Sequence, residues 1–81
     1  MEERNDFYTY AYLREDGTPY YIGKGTGRRW KKDHTVGIPP EERVLFLKTD
    51  LTEAEAHRHE VYMISVFGRK DKGTGILYNR T

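Results

Sequence analysis

A glutamate stands where the helical pattern asks for an apolar residue. At 100° per residue, Ala54, Ala56, Val61, Met63, Ile64 and Phe67 line one broad stripe, and Glu60 falls near its middle with His57 beside it. An unpartnered carboxylate taken out of water costs on the order of several kcal/mol. Glu60 is therefore expected to titrate neutral, to pair with a base or to coordinate a cation, unless this half of the helix overhangs solvent and leaves both residues wet. A second group is basic: Lys24, Arg28, Arg29, Lys31 and Lys32 fall within nine positions, opposed only by Asp33. Such a stripe suits a polyanion, and equally a solvated helix face. Tyrosine makes up a third group, seven of 81 residues, clustered at the start of the chain. Strand propensity and a half-buried sheet face account for Tyr8, Tyr12 and Tyr20.

Several elements must position these groups. Phe7 to Leu13 alternates with Tyr8, Tyr10 and Tyr12 on one face, then Asp16-Gly17 and Pro19-Tyr20-Tyr21-Ile22 follow, which is a hairpin signal. Gly23 to Gly27 reads as a turn-prone loop and Arg28 to His34 as a short basic helix. Arg43 to Lys48 reads as a third strand after Ile38-Pro39-Pro40. Thr52-Glu53-Ala54-Glu55 is a capping box that starts a helix, which runs to about Phe67 and stops at Gly68. A loop and a short extended piece, Ile76-Leu77-Tyr78, complete the pattern.

Length and composition bound the answer to one domain over residues 1–81, with a core burying about 60 to 65% of the unfolded surface. Hydrophobic residues are 36% and charged residues 33%, polar for a globular chain but with the aromatic and β-branched content that disordered chains lack. Zero cysteines exclude disulfides and thiolate metal sites. The absence of a long apolar run and of a signal-like N-terminus gives the expectation of a cytoplasmic protein with no membrane partner. The net charge of +1 favours no partner; only the distribution of charge does. The pattern G-x-x-x-x-G-K-[ST] is missing, so a nucleotide-binding P-loop is set aside.

Read as a unit, the chain resembles the GIY-YIG nuclease family. Tyr21-Ile22-Gly23 matches the second name-giving element, and Phe7-Tyr8-Thr9-Tyr10 occupies the first, with spacing and strand parity favouring Tyr10 over Tyr8. Arg28 or Arg29 lies where the family keeps an arginine, Glu60 where it keeps a helical metal-binding glutamate, and Asn79 where it keeps a late asparagine. The glycine and isoleucine of the first element are missing. Arg29 is eight residues beyond Tyr21, which makes Gly23 to Gly27 look like a shortened loop, and His34 follows Arg29 by five residues rather than by one helical turn, with His57 as a substitute.

The resemblance implies a small α+β fold, a three-stranded antiparallel sheet flanked by helices, and metal-dependent endonucleolytic hydrolysis of DNA. It implies one Mg²⁺ or Mn²⁺ held by Glu60 and waters, Arg29 on the non-bridging phosphate oxygens, and Tyr10 or Tyr21 on the attacking water. The lysines and arginines of residues 24–32, Lys24 included, would lower a tyrosine pKa toward neutrality. Asn79 would brace the site by hydrogen bonds, His34 would stand for the family histidine, and Gly23 and Gly25 would let backbone N–H groups approach phosphate. Lys24, Arg28, Arg29, Lys31 and Lys32 would contact DNA. A homodimer, and the cytoplasm of a bacterial or phage-infected cell, fit that reading. The competing readings are a catalytically silent nucleic-acid-binding module of the same fold and a protein-interaction domain with a tyrosine-rich sheet as its core.

Overall fold

A computed structural model describes residues 5–27, 30, 37–68 and 75–78 of the chain. Strand β1 (Phe7–Leu13) and strand β2 (Pro19–Thr26) form the expected hairpin. Its turn closes through the amide of Gly17 on the Arg14 carbonyl (2.9 Å) and that of Arg14 on the Thr18 carbonyl (2.7 Å). Gly17 takes a φ of 88°, a conformation that favours glycine. The Asp16 carboxylate accepts from both the amide (2.9 Å) and the hydroxyl (2.6 Å) of Thr18, the local bonding that makes aspartate a turn residue.

The turn-prone loop expected at Gly23 to Gly27 is largely strand: β2 continues to Thr26, with Gly23 opposite Tyr10 and Gly25 opposite Tyr8. Glycine weakens a strand by its entropy, but its missing side chain lets bulky partners lie over the backbone. Here those partners are tyrosine rings.

Strand β3 (Val44–Leu51) follows a 3-10 turn over Glu41–Arg43, starting one residue later and running three residues further than the sequence pattern indicated. It pairs antiparallel with the other side of β1, so the sheet order is β2-β1-β3 and β1 is central. Centrality explains why Tyr8 to Tyr12 are all buried while much of β3 is exposed. Asp50 lies at φ 58°, which aspartate tolerates better than most residues, within the register irregularity between the Phe7–Leu51 and Thr9–Lys48 pairs.

Helix α1 (Glu53–Phe67) has the bounds read from sequence. The Glu55 amide donates to the Thr52 hydroxyl (3.2 Å) and the Thr52 amide to the Glu55 carboxylate (2.8 Å), a complete capping box. Gly68, at φ 72°, ends the helix with its amide on the Ile64 carbonyl. The late segment then folds back: the amides of Ile76 and Leu77 bond to the carbonyls of Phe67 and Gly68, and that of Tyr78 to the Tyr20 carbonyl. The Arg14 guanidinium ties the same segment by donating to the carbonyls of Pro19 and Ile76.

The six residues of α1 that are not exposed are Ala56, His59, Glu60, Met63, Ile64 and Phe67. Ala54 and Val61, assigned to the apolar stripe by the wheel, are exposed; they lie about 160° and 140° around the helix from Ala56. The true stripe is narrower: it runs from His59 through Met63, Ala56, Phe67 and Glu60 to Ile64, so His59 lies at one flank and Glu60 inside it. Two apolar clusters result. One face of the sheet carries Tyr8, Tyr10 and Tyr12 with Tyr20, Tyr21, Trp30 and Val44. The other packs Ala11, Ile22 and Leu77 against Leu13, Leu47, Met63, Ile64 and Phe67. The molecule is thus α+β with a three-stranded antiparallel sheet, and α1 is the one α-helix among the described residues. The basic helix expected over Arg28 to His34 lies outside them except for Trp30. No helix among the described residues is long and apolar enough to cross a membrane.

Candidate active site

Period-two alternation in β1 divides the chemistry between the sheet faces. On the aromatic face the Tyr10 ring lies against Gly23: a Cβ on that glycine would sit 2.5 Å from the ring and hydroxyl. This contact locks Tyr10 of β1 against Gly23 of β2. The rings of Tyr12 and Tyr21 stack at 5.4 Å, and Tyr10 lies 6.4 Å from Tyr21.

Tyr10 is only 1% exposed. Burial first, then the neighbouring Tyr12 and Tyr21 phenols, push its pKa far above the ordinary tyrosine value, and its hydroxyl is hydrogen-bonded to Tyr12. Burial likewise pushes Tyr12 up to about 12. Tyr10 therefore stays protonated at neutral pH, since a phenolate there would be desolvated among other phenols. Tyr21 is half-buried.

Tyr8 and Tyr12 have a different use. The Tyr8 hydroxyl donates to the Gly27 carbonyl (2.7 Å) and accepts from the Trp30 amide (3.2 Å), while the Tyr12 hydroxyl donates to the Trp30 carbonyl (2.5 Å). The backbone is thus tied on both sides of Arg28-Arg29. Tyr20 adds a bond to the Gly37 carbonyl at 3.1 Å. Arg28, Arg29, Lys31, Lys32, His34 and Asn79 themselves lie outside the described residues.

On the other face, Thr9 pairs with Lys24 of β2 and with Lys48 of β3, so one row crosses all three strands. Helix α1 sets His59 and Glu60 against this row. The Glu60 side chain is 20% exposed. Burial raises its pKa, opposed first by the charge of Lys24 and then by His57. His57 is 63% exposed and 3.9 Å from the Glu60 carboxylate, so it is a surface residue rather than a member of the packed stripe. His59, which the sequence pattern did not single out, shares a 2.7 Å hydrogen bond between its Nδ1 and the hydroxyl of the fully buried Thr9. Burial, then Lys48, lowers its pKa. The wheel held the signal, since His59 flanks the stripe that contains Glu60, and Thr9 is a polar residue at an inward strand position.

The described candidates therefore form two sets. Glu60, Lys24 and His57 gather on the helix side, and Tyr10, Tyr21 and Gly23 on the aromatic side. Strand β2 is at the edge of the sheet and carries members of both, so one phosphate can engage both sets only around that edge. Among the described residues no group of three or more His, Asp or Glu side chains could enclose a metal. One half-buried carboxylate oxygen donor suits a hard cation whose other ligands are water and substrate oxygens, and the burial of Glu60 favours a positive charge beside it. No protein-family model, curated protein or solved structure matches the chain.

Proposed function

We propose that the protein is a metal-dependent DNA endonuclease of the GIY-YIG type that hydrolyses phosphodiester bonds. The observation that carries this reading is Glu60, a carboxylate half-buried in the packed stripe of α1 with the charge of Lys24 beside it. Maintaining that carboxylate costs stability, and a ligand that needs the negative charge gives it a use. The interlock of Tyr10 with Gly23 supports the same reading, because it ties together the two segments that the motif names.

In this account Glu60 holds Mg²⁺ or Mn²⁺, which when bound stabilises charge at the phosphate and the leaving oxygen. Tyr21 orients the attacking water, and Lys24 at the same edge strand supplies the positive charge that favours a deprotonated oxygen. Arg29, or Arg28, clamps the non-bridging oxygens. Asn79 keeps the bracing role that the resemblance implies, and His34 stands for the family histidine. Tyr10 acts as a packing residue. DNA is the partner, contacted also by Lys31 and Lys32, in the cytoplasm of a bacterial or phage-infected cell, by a single chain or a homodimer.

The second reading, a silent nucleic-acid-binding module, is favoured by the location of Tyr21 and Glu60 on different faces of the sheet. Supercoiled-plasmid nicking in Mg²⁺, Mn²⁺ or EDTA separates the two. Metal-dependent nicking that falls in Tyr21→Phe and in Arg29→Ala supports the nuclease. Intact plasmid in every metal, with binding retained at low salt, supports the module.

A further inference from the structure

Beside the candidate site, between β3 and α1, runs a groove of about 540 Å³ lined by Lys48, Leu51, Glu55, Arg58, His59 and Tyr62. Lys24, the described member of the basic stretch, is not among its lining residues. Two exposed cations reach it from different elements: Lys48 from the cross-sheet row and Arg58 from the first half of α1. Its one acid, Glu55, has its carboxylate engaged by the Thr52 amide in the capping box.

His59 also lines the groove, its Nδ1 held 2.7 Å from the Thr9 hydroxyl, so its Nε2 is the ring nitrogen left to meet a ligand. Tyr62, 62% exposed, adds a ring to the lining. Two cations, one tethered imidazole and an exposed ring suit a phosphate of a nucleic-acid backbone with a sugar or base beside it. The groove also adjoins Glu60, the next residue along α1.

We propose that this groove is a second contact for the DNA backbone, with Lys48 and Arg58 as its charged anchors and His59, held by Thr9, as a hydrogen-bonding group between them. This rests on the reading of the protein as a DNA-acting enzyme. It extends the footprint across the sheet, from Lys24 on β2 to Lys48 on β3, rather than along the basic segment alone.

The test is anisotropy titration of a fluorescent DNA duplex across a salt series in EDTA, for wild type, Lys48→Ala/Arg58→Ala, Thr9→Val and, outside the groove, Arg43→Ala. Each phosphate contact removed lowers the slope of log K against log salt by about 0.9, so the double variant should lose about two from the slope. Thr9→Val should weaken binding by less than the double variant does, because it removes the bond that holds the His59 ring and neither of the two charged anchors. Arg43→Ala should retain both affinity and slope. Circular dichroism melting checks that each variant is folded, and Lys48 and Arg58 are exposed enough to truncate safely. A double variant with wild-type affinity and slope overturns the groove and leaves the nuclease standing. A wild type that binds no duplex at low salt overturns both.

Discussion

At the scale of single residues, the contact of Tyr10 with Gly23 explains why the tyrosine and the glycine occur together. An added methyl at Gly23 meets the ring at 2.5 Å, and the buried ring has no room to yield. Gly23→Ala is expected to cost about 1 to 3 kcal/mol through overpacking, read as a lower midpoint in urea at unchanged m-value. Tyr10→Phe should cost about 1 kcal/mol, the worth of one hydrogen bond, while retaining most DNA cleavage, since the phenol is not a proton acceptor here. A large loss of cleavage in a folded Tyr10→Phe would contradict that assignment. The alternation that sets Tyr8, Tyr10 and Tyr12 on one face was legible in the sequence. The raised pKa of Tyr10 was not, because it depends first on burial and then on three neighbouring phenols, two of which come from alternate positions of the same strand.

At the scale of elements, α1 was legible almost to the residue. Its start and stop are written in local chemistry, a Thr52-Glu55 box and a glycine at positive φ. Thr52→Ala should cost about 1 kcal/mol, measurable by thermal melting. The loop expected at Gly23 to Gly27 failed for a related reason: glycine reads locally as a turn, and only the tyrosines across the hairpin show that the space is needed inside a strand. The wheel overestimated the apolar face because α1 rests on a small sheet that covers only its central stripe, leaving Val61, Tyr62 and Val66 exposed. The role of β1 as a clasp was also hidden, since the hydroxyls of Tyr8 and Tyr12 reach the backbone at Gly27 and Trp30. If that clasp sets the intervening Arg28-Arg29, then Tyr8→Phe should lower kcat more than it raises KM, with little change in melting temperature. Equal loss of stability and activity would make the tyrosine structural only.

For the whole molecule, two titrating groups on α1 oppose each other. The raised pKa of Glu60 means that the folded state binds its proton more readily than the unfolded chain. Its contribution to stability therefore improves as pH falls toward the usual carboxylate range and worsens as pH rises above it. The lowered pKa of His59 acts in the other direction: the unfolded chain takes up the proton first, so stability is lost as pH falls below about 6.5, the ordinary histidine value. Melting curves of wild type between pH 5 and pH 8 should therefore carry two opposed trends, a loss below about 6.5 from His59 and a gain toward about 4.3 from Glu60. In Glu60→Gln the acid-side loss from His59 should be exposed, and the variant should be more stable than wild type at pH 8. A Glu60→Gln protein less stable than wild type at pH 8 would show that the carboxylate is structural, not held at a cost for function. The electrostatic balance of the site could not be read from the sequence, because Lys24, Lys48 and Thr9 join only through the strand register.

The most direct measurement is single-turnover plasmid nicking by wild type and Glu60→Gln as Mg²⁺ or Mn²⁺ is titrated, with DNA binding followed in parallel in EDTA. The account expects saturable, metal-dependent nicking by wild type and its near-complete loss in Glu60→Gln, with DNA affinity retained. Nicking by Glu60→Gln at the wild-type rate and metal midpoint would contradict it.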